Sequence, residues 1–269
     1  MCRALDVSKG GFYMWVRRGP SARRRREEAV LKPQVRTTFE QSRQTYGCVR
    51  IGVALRDIGI NTSTRIVRRI MRDNGLVPRR IRKYWGNTRS KGKPSCPDLV
   101  QRKFSADKPN RVWVSDITQV MTPEGWLYLA SILDLCSRFL VGWATGGQIN
   151  DDLVLRALAM AYTQREPAPG FIMHSDHGSQ YDSKLFKANL KLYGGLQSMG
   201  TVGDCFDNAS SESFNATIKG ECLDHEPLLS RDHATKVIFE YIELFYNRER
   251  KHSSIGYLSP QQYEKSLGV

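Results

Sequence analysis

Between residues 111 and 145 the chain has three apolar runs of strand length, RVWVSDIT, WLYLASILDL and FLVGWAT, separated only by short breaks. Connections this short leave no room for a crossover, so consecutive strands must pair antiparallel. RVWVSDIT (111–118) reads as a strand ending at Asp116, MTPEG as a hairpin turn, and the three runs together as a meander. The pattern then changes. Asp151 and Asp152 open a helix through Leu155, Leu158 and Ala159, and PGFIMHSD (169–176) is a fourth strand ending at Asp176. Residues 183–193 form a helix closed by Gly194 and Gly195, and LQSM is a short fifth strand. VGDCFDNASSESFNATIKG (202–220) is a loop that turns into a helix carrying Glu212. Residues 231–250 are an amphipathic helix with Ile238, Tyr241, Ile242, Phe245 and Tyr246 as its apolar stripe.

Three antiparallel strands followed by alternating helices and strands predict an α/β domain of the ribonuclease-H-like kind. In such a sheet Asp116 and Asp176 stand at strand ends, with Glu212 on a later helix and thirty-five residues between it and Asp176. Gathering three carboxylates is electrostatically unfavourable without cations, so the cluster predicts metal. Magnesium prefers hard carboxylate oxygens. Two such ions about 4 Å apart activate an oxygen nucleophile and relieve charge on the leaving oxygen in phosphodiester transfer. Asp116, Asp176 and Glu212 are therefore the candidate catalytic and metal-binding residues. Asp116 bridges two Mg2+ ions, the other two acids bind one each, and Mn2+ can substitute. Asp134 also ends a strand, and Asp204 or Asp207 could compete with Glu212. Lys219 lies two helical turns after Glu212 on the same face, with Asn208 four residues before and Asn215 three after, as candidates for touching DNA. His174 and His177 flank Asp176 and suit orienting or substrate-contact roles better than metal ligation. Tyr246, Asn247, Arg250 and His252, with Lys251, form a polar, basic cluster that is either a surface turn or a contact with the DNA end.

The front of the chain has a different composition. Residues 1–110 carry 27 Lys and Arg against 8 Asp and Glu, while the remainder carries 14 against 19, for a net charge of +14. A basic front and a mildly acidic back separate the holding of a polyanion from the chemistry done on it. Residues 1–32 read as a basic helical segment, in part like the second half of a helix-turn-helix or else a short packing helix, with Pro33 as an interruption. Residues 33–82 read as a small all-α domain of helix-turn-helix type. Its last helix, TRIVRRIMRDNG, puts Ile66, Val67, Ile70 and Met71 on one face and Arg65, Arg68, Arg69 and Arg72 on the others. That arrangement suits a recognition helix in a major groove, the alternative being an ordinary charged surface. Residues 83–107, rich in Lys, Arg, Gly, Pro and Ser, read as a basic linker, and 108–269 as the catalytic core. No two of the six cysteines have zinc-finger spacing. There is no signal peptide, and the longest apolar run is too short to span a bilayer. The expectation is a cytoplasmic protein not associated with membrane.

WVSDIT, HSDHGSQY, DNASSESFNATIK and YNRERKHSSIGYLSP resemble the successive motifs of bacterial insertion-sequence transposases with a retroviral-integrase-type core. More narrowly, they resemble the second-reading-frame (OrfB-type) product of the group with two overlapping frames, and residues 35–80 are similar to its helix-turn-helix segment. The resemblance implies a DDE-type enzyme with Asp116, Asp176 and Glu212 as its triad. It implies magnesium-dependent strand cleavage at the element's ends and 3′-hydroxyl strand transfer. The implied partners are double-stranded DNA, as element ends and target, a second copy of the chain on that DNA, and a first-reading-frame protein or fusion. A DNA-binding regulator without catalysis and a nuclease of the same fold without strand transfer are the competing readings.

Overall fold

The computed structural model describes Cys2 and residues 6–19, 21–79, 96–101, 105–200 and 209–269. The chain divides into two compact units, Met1–Arg79 and Arg80–Val269.

The first unit is all-α. Helix α1 (Lys9–Arg18) is capped by Ser8, whose Oγ accepts from Gly11 N at 3.0 Å, and buries none of its residues. Helix α2 (Ala22–Gln41) runs straight through Pro33. The expected interruption, and with it the boundary at 32/33, therefore falls inside one helix. Proline removes one intrahelical hydrogen bond. The turns on either side are held by Leu31, Val35 and Phe39, buried at i, i+4 and i+8. They pack with Ile51 and Leu55 of α3 (Cys48–Asp57) and Val67, Ile70 and Met71 of α4 (Thr64–Asp73). Ser63 caps α4 by accepting from Ile66 N. Beyond α3 and α4 the chain turns at Gly59 and Gly75, both in the left-handed region at φ 80° and 64°, where glycine carries no Cβ penalty.

The second unit is a five-stranded mixed sheet of order β3-β2-β1-β4-β5 with helices packed on it. Strands β1 (Val112–Thr122), β2 (Gly125–Asp134) and β3 (Leu140–Gly146) form the expected meander, with the β1–β2 turn at Pro123–Glu124. Strands β4 (Ile172–Ser175) and β5 (Leu196–Met199) are parallel to β1. Helix α5 (Asp151–Arg165), capped by Asn150, packs so closely on β3 that a Cβ at Gly142 would lie 2.3 Å from Ala157 O. Trp113, Ile132, Val141, Leu158, Phe171 and Phe186 are central to the core.

Helices α6 (Ser179–Asp182) and α7 (Lys184–Leu192) link β4 to β5, and α8 (Ala209–Glu221) carries Glu212. The last long helix begins as α9 (Arg231–Phe239) and widens to a π-helix over Glu240–Tyr246, which the amphipathic pattern did not anticipate. Its expected stripe, Ile238, Tyr241, Ile242, Phe245 and Tyr246, is buried. Helix α10 (Pro260–Ser266) follows, starting in a capping box at Ser259. Of the expected linker, Cys96–Gln101 lies against β5: Met199 N donates to Pro97 O and Leu99 N to Ser198 Oγ. Among the described residues no helix is long and apolar enough to cross a membrane.

Candidate active site

Asp116 lies in the middle of β1, not at its end, because the strand continues to Thr122. What ends there is its neighbour. The β1–β4 register stops at Ser115–Ser175, so Asp116 and Asp176 are the next residues on two adjacent parallel strands, just beyond their last paired position. The local fold holds both. Ile117 N donates to Asp116 Oδ1 at 2.8 Å, and Gly178 N to Asp176 Oδ1 at 3.1 Å. Behind them Ser115 Oγ and the fully buried Tyr181 hydroxyl share a 2.7 Å hydrogen bond, a link between β1 and α6 that carried no signal in the sequence.

Helix α8 approaches this pair through Asn215, not through Glu212. The buried Asn215 Nδ2 donates to Asp116 Oδ2 at 2.8 Å, so it holds the carboxylate where a DNA contact was expected. Its Oδ1 is buried without a hydrogen-bond partner among the described residues. Glu212 is exposed, one turn N-terminal to Asn215 on the same helix face. Lys219, one turn C-terminal, is half-buried. Burial lowers its pKa, against the opposing fields of Asp224 and Asp116. Asn208 lies outside the described residues.

The electrostatics single out Asp116. Burial, then the Asp176 charge, with Glu212 adding less, push its carboxyl up to about 7 against the bonds from Ile117 and Asn215. Burial also raises Asp176, opposed by Gly178 N and His177, and burial raises Glu212. Glu212 thus acts on Asp116 across space without closing on it. Among the described residues no three acidic, His or Cys side chains are gathered closely enough to hold a metal ion. The donor chemistry nonetheless fits a hard cation: carboxylates with raised pKa values stand beside an amide oxygen that lacks a partner among the described residues.

Other candidates have different occupations. Asp134 is fully buried and accepts from Asn110 N, Cys136 N, Ser137 N and Ser137 Oγ, so it builds the β2–β3 turn. His174 Nδ1 lies 2.9 Å from Ser198 Oγ and His177 Nε2 2.6 Å from Gly200 O, which ties both rings to protein.

The cluster expected at a DNA end is not at the surface. Tyr246, Asn247, Arg250, Lys251 and His252 are all buried. Asn247 accepts from Leu140 N and donates to Leu140 O. Arg250 forks onto Glu221 through Nε at 2.8 Å and a terminal nitrogen at 2.6 Å. The Tyr246 ring meets Phe214 edge-on at 5.0 Å and His252 at 4.8 Å. These side chains hold the fold and present nothing to a polyanion.

In the first unit Arg65 and Arg68 are exposed on α4, and Arg72 is 76% exposed beside its neighbour Asp73. With Ser63, Arg69 and Glu27 they line a groove along α4. Within it Arg69 pairs with Glu27 and Glu28 of α2 at 3.5 and 3.9 Å.

Comparison with known proteins agrees with this architecture. Residues 25–84 match the model of an HTH-like domain, and residues 106–205 and 193–260 match models of the integrase core domain. The fold resembles a chain of the simian T-cell lymphotropic virus intasome solved with PP2A regulatory subunit B56 gamma. The TM-score is 0.51 at 13% identity, over 79% of this chain and 70% of that one. The insertion element IS600 31 kDa protein of Shigella sonnei is 39% identical over 98% of this chain and 97% of its own length. Transposase InsF for insertion sequence IS3A of Escherichia coli is 38% identical over 98% and 92%. Identity of this order along nearly the whole of both chains makes this protein a member of the IS3/IS600 family of insertion-sequence transposases, OrfB-type and hence a DDE-type polynucleotidyl transferase.

Proposed function

We propose that the protein cuts one strand at each end of its insertion sequence and joins the freed 3′-hydroxyl to another phosphodiester, using Asp116, Asp176 and Glu212 with two magnesium ions. The observation that carries this reading is the pairing of Asp116 and Asp176 at the end of the β1–β4 register, with Asp116 bound by the helix that bears Glu212. In the joining step the 3′-oxygen forms a bond to phosphorus as the bond to the leaving 3′-oxygen of the attacked strand breaks; the nucleophile's proton passes to solvent and the leaving oxygen takes one up to become a new 3′-hydroxyl. The number of phosphodiesters is unchanged, so no external energy source is needed. When bound to the three carboxylates, magnesium supplies charge neutralisation at the attacking and leaving oxygens.

The chain's own groups do the rest. Asn215 fixes the orientation of the Asp116 carboxylate. Lys219, on the same helix face, offers a half-desolvated cation to a DNA phosphate. In the first unit Arg65, Arg68 and Arg72 suit the groove of an element end. Two ends joined in one event call for two copies on DNA, with a first-reading-frame protein or fusion as a further partner. The work belongs at the bacterial nucleoid, in the cytoplasm.

The test is incubation with labelled element-end duplex, target DNA and magnesium. The expected product is a labelled end joined to target, lost in Asp116→Asn and Glu212→Gln. Cleavage without joined product would make the protein a nuclease, and a fully active Glu212→Gln protein would remove Glu212 from the site.

A further inference from the structure

The segment Tyr246–His252 belongs neither to the carboxylate site nor to an exposed surface. It reaches that site only through α8. The helix has four described attachments along its length. Ser210 accepts from Arg138 at 2.9 Å, Phe214 meets the Tyr246 ring, Asn215 holds Asp116, and Glu221 closes the C-terminal end. At Glu221 the carboxylate takes both arms of Arg250 and the Tyr241 hydroxyl, the last at 2.8 Å. Both ion-pair side chains are at least 95% buried.

Arg250 is itself fixed to the sheet, because Asn247, three residues earlier, bonds both backbone groups of Leu140 at the start of β3. The helix is thus held toward its first turn by Arg138 and Asn215, and at its C-terminal end by Arg250. Ties at one end leave a helix free to pivot, whereas ties at both ends set its rotation and its slide. Glu212 lies nine residues from Glu221, about 13 Å up the axis, so a small tilt at Glu221 displaces it.

We infer that Arg250 is a positioning residue for strand transfer: its fork on Glu221 sets the rotation and height of α8, and so where Glu212 stands relative to Asp116. The inference rests on Glu212 acting in the reaction. A planar, two-armed guanidinium fixes a carboxylate's orientation, which a lysine of equal charge does not.

The test compares the full-length wild type with Arg250→Lys, with the double variant Glu221→Met/Arg250→Met, and with Glu212→Gln. A buried ion pair replaced by apolar residues of similar volume keeps or regains stability. The double variant therefore separates folding from aim. Three readouts are taken: amide hydrogen exchange over residues 209–221, the magnesium concentration giving half of the metal-induced thermal shift, and the strand-transfer rate. In Arg250→Lys and the double variant, exchange is expected to rise at the first turn of α8 as well as at its end. The magnesium requirement rises, and transfer slows roughly 10- to 100-fold, the scale of a displacement of about 1 Å at a reacting centre. Melting of the double variant falls by no more than the loss of the Tyr241 hydroxyl's acceptor entails.

Wild-type exchange around Ser210–Phe214 with an unchanged magnesium response would overturn the inference and leave the pair a local stabiliser. A fully active Glu212→Gln protein would overturn the role of Glu212 instead, while the exchange data would still decide whether Arg250 sets the helix.

Discussion

Replacing Asp116 by Asn should flatten the pH dependence of stability in the metal-free protein. In the folded chain the Asp116 carboxyl sits at about 7, against an ordinary 3.8, because burial and then the Asp176 charge disfavour its ionised form. A folded-state pKa above the unfolded one means that folding favours the protonated group. That stabilisation is complete below 3.8 and is lost as the pH rises through 7. Between about pH 5.5 and pH 8.5 the unfolded carboxyl is ionised throughout, while the folded one goes from protonated to ionised. At about 1.4 kcal/mol per pH unit, the stretch from 5.5 to 7 removes about 2 kcal/mol from the wild type. For a unit of this size that is a fall in Tm of about 4–8 °C. Asp176 and Glu212 are raised in the same direction, so the informative quantity is the difference between the two proteins. Thermal melts of the metal-free proteins across this range should diverge with rising pH, with Asp116→Asn falling less. Saturating magnesium at pH 8.5 should then raise the wild type and leave the variant nearly unmoved. Parallel pH curves would refute the buried, charge-crowded carboxyl, and an equal magnesium response would refute its part in holding the metal.

Asn215→Ala removes a bond that favours the ionised form of Asp116, so the pH window of stability loss should move above 7, read from the same melts. On α4, Arg65→Ala, Arg68→Ala and Arg72→Ala should each weaken duplex binding and lower the salt slope by about one. Arg69→Ala should leave that slope alone and cost the first unit up to about 1 kcal/mol through its pairs with Glu27 and Glu28, separable by anisotropy titrations and melting.

Much of this was legible along the chain. The three strands of the meander follow from short apolar runs with a tight turn between the first two. The end of α4 follows from Gly75 and the start of α5 from Asp151 and Asp152, while of Asn61, Thr62 and Ser63 as caps for α4 the fold uses Ser63. Glu212 lies on a helix and Asp176 at a strand end, as expected. The failures share one form. Pro33 reads as a break, yet α2 passes through it because Leu31 and Val35 are buried on either side. Asp116 reads as the end of the strand RVWVSDIT, yet β1 continues to Thr122 because β2 pairs with it that far. Arg250 and Asn247 read as surface groups for DNA, and each is turned inward by a partner distant in sequence.

The sequence by itself determined the kind and order of most elements and named the three candidate acids. Caps, turn residues and hydrophobic period act between residues a few positions apart, and that information is complete along the chain. Only the tertiary structure decided which polar groups face solvent. A charged side chain is buried only where an opposite charge or an open hydrogen-bonding group meets it. For Arg250 that group is Glu221, 29 residues away, and for Asn247 it is Leu140, 107 residues away.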